Sequence, residues 1–225
     1  MNKEKKLAYF DYLKKFVTLE RQKKIELVLA LRTRHITVAL EDVSNSQNVA
    51  AIMRTCEAMG LQEMHVMELE HQVEIKPNVA RGAIQWMEVY KYQKNKESGE
   101  TPAAACVQAL RQKGYTIIAT SSHVTQTVSD LSVDKKYAFL FGTEHSGLSD
   151  EAFSLADQSI TIPQYGFVES YNVAVAAALS LYDSVTRLRA SDVAWHLSED
   201  DLFDVHIAWL ERSVDRPEIL RKMFL

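Results

Sequence analysis

Three polar segments carry the residues whose types and spacing could do chemistry. In "FGTEHSGLSDE", Phe141 to Glu151, Gly142 and Gly147 stand at the G-x-x-x-x-G spacing of a loop that cradles phosphate. A nucleotide loop of that kind continues with Lys and then Ser or Thr, which reach the β- and γ-phosphates and a magnesium ion. Here Leu148 and Ser149 follow, and Glu144 puts a carboxylate where polyphosphate charge would lie, so the loop is read as excluding a triphosphate. "EDVSNSQN", Glu41 to Asn48, leads into a helix-like run that bears Arg54, a permanent cation able to hold an anionic group. "PQYGFVESYN", Pro163 to Asn172, offers Ser170 and Asn172, which bracket the start of the next helix as an N-cap pair. His145 is a candidate base beside Glu144, but it has no visible partner to orient it and is read as solvated.

These segments need elements that bring them together. Each follows a strand-like run: "HITVALE" (His35 to Glu41), "YAFLF" (Tyr137 to Phe141) and "SITIP" (Ser159 to Pro163). The first leads to "NVAAIMRTCEAMG", with Val49, Ile52, Met53, Cys56 and Met59 on one helical face and Gly60 as its C-cap. The third leads to an alanine-rich helix from Asn172 to about Leu188. "MHVMEL", "IQWMEVYKY" and "YTIIAT" read as further strands, and a helix runs from about Pro102 to Lys113. Strands alternating with helices predict an α/β fold with a mainly parallel sheet covered by helices on both faces. In such sheets ligands sit beyond the carboxyl ends of the strands, where all three segments fall.

With 225 residues, 47% hydrophobic and 25% charged, the chain can bury a substantial core. Its net charge of -4 hides an uneven distribution. Ten Lys and Arg face four acids between Met1 and His35, giving +6 there and leaving -10 on the remainder. Leu7, Phe10, Leu13, Ile25, Val28 and Leu29 recur at helical spacing in that basic stretch, which suits a polyanionic partner. The organisation expected is a basic helical extension at 1–34, the α/β domain at 35–189 and an acidic helical extension at 190–225. Cys56 and Cys106 match no disulfide framework or metal spacing, and the seven histidines are scattered without an H-E-x-x-H, so no metal is expected. No G-x-G-x-x-G follows a strand, which leaves nicotinamide binding without support. No secretory leader or run of eighteen apolar residues occurs, so no membrane span is expected and the cytoplasm is the expected compartment.

In their order and spacing the three segments resemble the motifs of the SpoU/TrmH branch of the SPOUT RNA methyltransferases. "NVAAIMRT" is similar to N-x-x-x-I-x-R-T, "GTEHSGL" to G-x-E-x-x-G-[LI], and "IPQYGFVESYNVAVA" to I-P-[MQ]-x-G-x-x-x-S-L-N-V-[SA]-x-[AS]. The resemblance spans about His35 to Arg189, with Tyr171 where the family usually has Leu and Ala174 where Ser is common. It implies a deep trefoil knot in the C-terminal part of the sheet, an exception to the usual rule of unknotted topology. It also implies S-adenosyl-L-methionine as cofactor, at positions matched by Thr120, Gly142, Ile162 and Tyr171, and a homodimer whose active site draws on both subunits. Catalytic roles fall on Asn48, Arg54, Glu144, Ser170 and Asn172. Family reasoning sometimes makes Arg54 the general base; a guanidinium stays protonated in proteins, so the role expected is to fix the target phosphate and stabilise alkoxide charge.

Relatives acting on ribosomal RNA carry an N-terminal RNA-binding domain larger than the extension present here. Basic N-terminal helices with more helices after the knot resemble instead the tRNA enzymes that methylate guanosine 18 of the D-loop. Arg21, Lys23, Lys24, Arg32 and Arg34 are then the expected phosphate contacts, which position RNA without reading sequence. The alternatives are 2′-O-methylation of ribosomal RNA or of another tRNA position, and a non-catalytic knotted RNA-binding protein.

Overall fold

The computed structural model describes residues 2–73, 82–95, 97 and 99–224. The chain forms two compact units, Thr33–Trp195 and a helical one of Met1–Arg32 with His196–Leu225. Thr33 and Arg34 join the first unit because Thr33 bridges Leu61 and Arg34 pairs with acids of two strands. Residues to Trp195 stay with it because Thr33 Oγ1 donates to the Trp195 carbonyl at 2.5 Å and the Arg189 guanidinium lies 4.6 Å from the Trp195 ring.

The larger unit is built on six strands, β1 (Ile36–Glu41), β2 (Glu63–Glu68), β3 (Glu88–Gln93), β4 (Thr116–Thr120), β5 (Tyr137–Phe141) and β6 (Gln158–Ile160). They make one sheet in the order β3-β2-β1-β5-β4-β6, and every pairing is parallel. β1, β2 and β5 are buried at every position, as strands covered on both faces must be. β3, at one edge, alternates polar and partly exposed residues, which discourages further pairing. The expected strand at 84–92 begins late, because Gly82 at φ 82° starts a 3-10 turn over Ala83–Gln85.

Helices α3 (Ser46–Ala58), α4 (Pro102–Gln112), α5 (Asp150–Ser154) and α6 (Val173–Arg189) follow β1, β3, β5 and β6. One face of the sheet packs Val38, Leu40 and Phe139 with Ile52 and Met53 of α3 and Ala177 and Leu181 of α6. Ala39, Ala138 and Leu140 pack with Cys106, Val107 and Leu110 of α4 on the other. In the helical unit, α1 (Lys3–Lys14), α2 (Leu19–Leu29), α7 (Glu199–Glu211) and α8 (Pro217–Phe224) bury Tyr9, Leu13, Ile25, Leu29, Trp209 and Leu210. Among the described residues no helix is long and apolar enough to cross a membrane.

At the amino-terminal end of β2 lies a buried charged network. The Glu63 carboxylate takes hydrogen bonds from Arg34, from Lys113 at 2.9 Å and from Tyr115 at 3.1 Å, and His65 Nε2 lies 3.4 Å away. Arg34 also donates twice to Glu88 at 2.8 Å. Burial would push the Glu63 carboxyl up, but hydrogen bonds from His65 and Lys113 outweigh it and hold the group well below its ordinary value near 4.5. A depressed folded value means that this contribution is complete above about 4.5 and is lost as pH falls from there. Glu63→Gln is expected to cost about 3 kcal/mol at pH 7, the lower end for a broken buried pair, since Arg34 and Lys113 keep some solvent. The gap between wild type and variant in denaturant melts should then narrow below pH 4.5, and a gap that stays constant with pH would refute the assignment.

Candidate functional site

The carboxyl ends of β1 and β5 lie side by side, with Ala39 opposite Leu140 and Leu40 opposite Phe141. The chain leaves β1 into the turn before α3, where Asn45 caps the helix by accepting from the Gln47 amide at 2.9 Å. It leaves β5 into the loop Gly142–Ser149. Both glycines of that loop are required by geometry. A Cβ on Gly142 would stand 2.0 Å from the Gly147 carbonyl oxygen, and Gly147 itself adopts φ +69°. Thr143 and Gly147 exchange backbone hydrogen bonds at 3.0 and 3.1 Å, and the Ser146 amide donates to Thr143 Oγ1 at 3.1 Å. Three amides that a phosphate cradle would need therefore point within the loop.

The far end of the loop is tied to β1. Glu41, 2% exposed, accepts from the Ser149 amide and the Ser149 hydroxyl, each at 2.7 Å. Ser149 in turn caps α5 by accepting from the Ala152 amide at 3.1 Å. The next residue, Asp42, holds the loop after β2: at φ 50° its carboxylate accepts from the Leu69, Glu70 and His71 amides and lies 2.9 Å from His71 Nδ1. Asp42, Glu70 and His71 place ligand-type atoms within 4.8 Å of one another, but both Asp42 oxygens already accept hydrogen bonds. We assign that group to loop structure. Neither Glu41 nor Asp42 was expected to act. The sequence signal was two consecutive acids closing an apolar strand, the "ALED" of Ala39 to Asp42.

Side chains of the three motif segments meet at one point. The Asn48 carboxamide donates to Glu144 Oε1, and its oxygen accepts from Asn172 Nδ2 at 3.3 Å. Asn172 caps α6, its Oδ1 accepting from the Ala174 amide at 2.9 Å, which is worth ~1 kcal/mol to the helix. Ser170 lies outside the cap, exposed and without a hydrogen bond among the described residues. Arg54, on α3, is exposed and has no hydrogen-bond or ion-pair partner among the described residues. It is not joined to the string of Asn48, Glu144 and Asn172. His145 is exposed, as expected.

The four positions matched to a cofactor lie after β4, β5 and β6. Thr120 Oγ1 donates to the Leu140 carbonyl at 2.8 Å, binding the ends of β4 and β5 together. Gly142 is buried, Ile162 is half-buried, and Tyr171 reaches back through its hydroxyl to the Pro163 carbonyl at 3.2 Å. An open groove of about 570 Å³ along α4, lined by residues such as Ala104, Val107, Arg111 and Leu155, contains none of these residues.

Two of the five expected RNA contacts are corrected. Arg32 is 1% exposed, with its guanidinium 5.3 Å from the Trp209 ring, and Arg34 is held by Glu63 and Glu88. A cation enclosed by protein partners is not offered to a phosphate backbone. Arg21, Lys23 and Lys24 are exposed on α2.

Comparison with known proteins agrees with this geometry. Residues 35–182 match the SpoU rRNA Methylase family. The chain is 36% identical over 218 residues to a tRNA (guanosine(18)-2′-O)-methyltransferase of Borreliella burgdorferi, covering 96% of each. A protein of the same name from Thermus thermophilus is 34% identical over 168 residues, 74% of this chain and 82% of the relative. A solved structure, the Aquifex aeolicus TrmH/SpoU tRNA modifying enzyme, superposes with a TM-score of 0.75 at 26% identity, over 88% of this chain and 98% of that one. The SpoU methyltransferase AviRb of Streptomyces viridochromogenes, solved in complex with the cofactor AdoMet, gives a TM-score of 0.59 at 25% identity over 77% and 62%. With a matched region that takes in the strand ends, the joined motif residues and most of α6, the chain belongs to the SpoU methylase family.

Proposed function

We infer that this protein is an S-adenosylmethionine-dependent 2′-O-ribose methyltransferase of tRNA, with guanosine 18 of the D-loop as its target. The observation that carries the reading is the string of Glu144, Asn48 and Asn172, which unites three motifs at the ends of the central strands. The names of the Borreliella and Thermus relatives support tRNA and the nucleotide, and the AdoMet-bound neighbour supports the cofactor. Residues present here fit that cofactor. Gly142 lets the loop close against the Gly147 backbone, the loop amides are engaged internally, and the Glu144 carboxylate suits a sulfonium cation. Thr120, Gly142, Ile162 and Tyr171 would hold it.

S-adenosylmethionine, when bound, supplies an electrophilic methyl group, which the ribose 2′-oxygen takes as it gives up its proton. That hydroxyl is a poor nucleophile at neutral pH, so the protein's task is alignment and charge stabilisation. Arg54, exposed and without a protein partner among the described residues, holds the target's phosphate and stabilises developing alkoxide. The proton passes to a phosphate oxygen or water, because Arg54 has none to accept. Asn48 keeps Glu144 and Asn172 in register, and Ser170 stands exposed beside them to meet the ribose.

Three further features belong to this reading. The trefoil knot is supported by membership of the SpoU family, whose motifs span the same segments. A homodimer is supported by Val175, Leu179 and Tyr182, exposed by 45, 41 and 62% at helical spacing on α6. Arg21, Lys23 and Lys24, exposed on α2, form the tRNA-binding face, and the cytoplasm is the compartment of this reading.

The deciding experiment offers labelled methyl donor with unmodified tRNA transcripts, one carrying guanosine and the other 2′-deoxyguanosine at position 18. Incorporation only into the first is expected; equal incorporation moves the target, and none on either favours ribosomal RNA or a binding-only protein. Arg54→Ala is expected to lower kcat by about 100- to 1000-fold, and full turnover in both Arg54→Ala and Arg54→Lys would refute its role. Reversing Lys23 and Lys24 to Glu should raise KM for tRNA and flatten its salt dependence, with KM for the methyl donor unchanged. Leu179→Asp is expected to shift the sedimenting species from dimer to monomer; a dimer that survives it would rule this face out.

A further inference from the structure

Residues 165–172, between β6 and α6, are all exposed. Within that run Tyr165 is 96% exposed, Phe167 108% and Val168 67%. Single apolar side chains scattered over a surface need no explanation, but three within four positions form a cluster of the kind that marks a contact. Among the described residues neither the Tyr165 nor the Phe167 ring meets another ring or a hydrogen-bond partner. Phe167 also lacks the polar tip that gives an exposed Tyr or Trp a reason to face water.

The ends of this loop are fixed and its tip is free. The Tyr171 hydroxyl donates to the Pro163 carbonyl at 3.2 Å, drawing together residues eight apart. Asn172 caps α6 and donates to Asn48, so the loop ends in the string that joins the three motifs. A Cβ on Gly166, between the two rings, would meet nothing within 4 Å, which leaves the tip facing open space. From Pro163 to Asn172 there is no Lys or Arg, and the one carboxylate is Glu169. Such a segment repels a phosphate backbone. What it offers RNA is a pair of aromatic faces, on which any nucleobase can stack.

We propose that Phe167 stacks on the base of the nucleotide whose ribose is methylated, with Tyr165 beside it. The proposal rests on the methyltransferase reading above and goes further, since it names what holds the target base. Splaying a nucleotide out of an RNA loop to present its 2′-hydroxyl takes the base away from its stacking neighbours, and an aromatic ring replaces them. Phe167 lies three residues before Ser170, which meets the ribose. Three residues span at most ~11 Å, about three base-stacking intervals, so the ring reaches the base carried by that ribose. A subunit contact is the other use for an exposed ring. Interface cores are depleted of charge, however, and Glu169 stands two residues from Phe167, followed by Ser170 and Asn172.

The test compares tRNA transcripts that carry the target nucleotide intact or as an abasic ribose, which keeps the 2′-hydroxyl and the phosphates. Phe167→Ala is expected to raise KM for the intact transcript about 10- to 100-fold, as for the loss of one stacked base. On the abasic transcript the same variant should match wild type within about twofold, because the partner of the ring is already gone. Phe167→Trp should restore the intact substrate and Phe167→Leu should not. An equal effect of Phe167→Ala on both transcripts, or a Leu variant as good as Trp, overturns the proposal. So does a raised KM for the methyl donor, which would assign the ring to the cofactor, or a variant that sediments as a monomer where wild type is a dimer. Wild-type protein that transfers no methyl to tRNA overturns the methyltransferase reading as well, whereas an active enzyme indifferent to the ring overturns this inference alone.

Discussion

The pairing of β1 with β5 is the constraint on which the site depends. The two strands are about a hundred residues apart in the chain, yet they lie adjacent at the centre of the sheet in a parallel register five residues long. Parallel strands end on the same side, so the segments leaving them emerge within one strand spacing, ~5 Å, of each other. β1 is also where the order of the sheet turns: β2 and β3 extend from one side of it, and β5, β4 and β6 from the other. A crevice at such a point collects loops from both halves. The meeting of Asn48 with Glu144 is the side-chain expression of this backbone arrangement.

Carboxylates then divide the work of holding the loops. Glu41 fixes the far end of the Gly142–Ser149 loop through Ser149, and Asp42 fixes the loop after β2 through three amides. An amide of Asn48 in place of another acid matters for the same reason. It can donate to Glu144 and accept from Asn172 at once, whereas a carboxylate there would repel Glu144 and still accept from Asn172. The loop that resembles a phosphate cradle in sequence has its own amides bonded internally and a negative charge at its rim. That charge and the engaged amides disfavour a polyphosphate.

The sequence makes legible what is local or what recurs by motif. Buried parallel strands stand out as apolar runs, as in Tyr137 to Phe141, and α3 shows its core face in Val49, Ile52, Met53 and Cys56. The capping role of Asn172 is visible because caps depend on residues two or three positions away. Arg32 and Arg34 were misread because nothing local separates a buried arginine from an exposed one. Their partners, Trp209, Glu63 and Glu88, lie from 29 to 177 residues further along. Ser149 as the link to Glu41, 108 residues away, is hidden by the same distance.

The helical unit contains both ends of the chain, Met1–Arg32 and His196–Leu225, with Thr33–Trp195 inserted between them. Tyr9 closes onto Glu211 and the Phe10 ring packs at a tilt against Phe203, so α1 and α2 cannot bury their apolar faces until α7 exists. At ordinary rates of synthesis the intervening residues take on the order of ten to thirty seconds to appear. During that interval the two basic helices stand with their core side uncovered, while the strands are made behind them and are complete at β6, before α7 appears. The residues of α1 and α2 are thus made before the sheet and buried only after it.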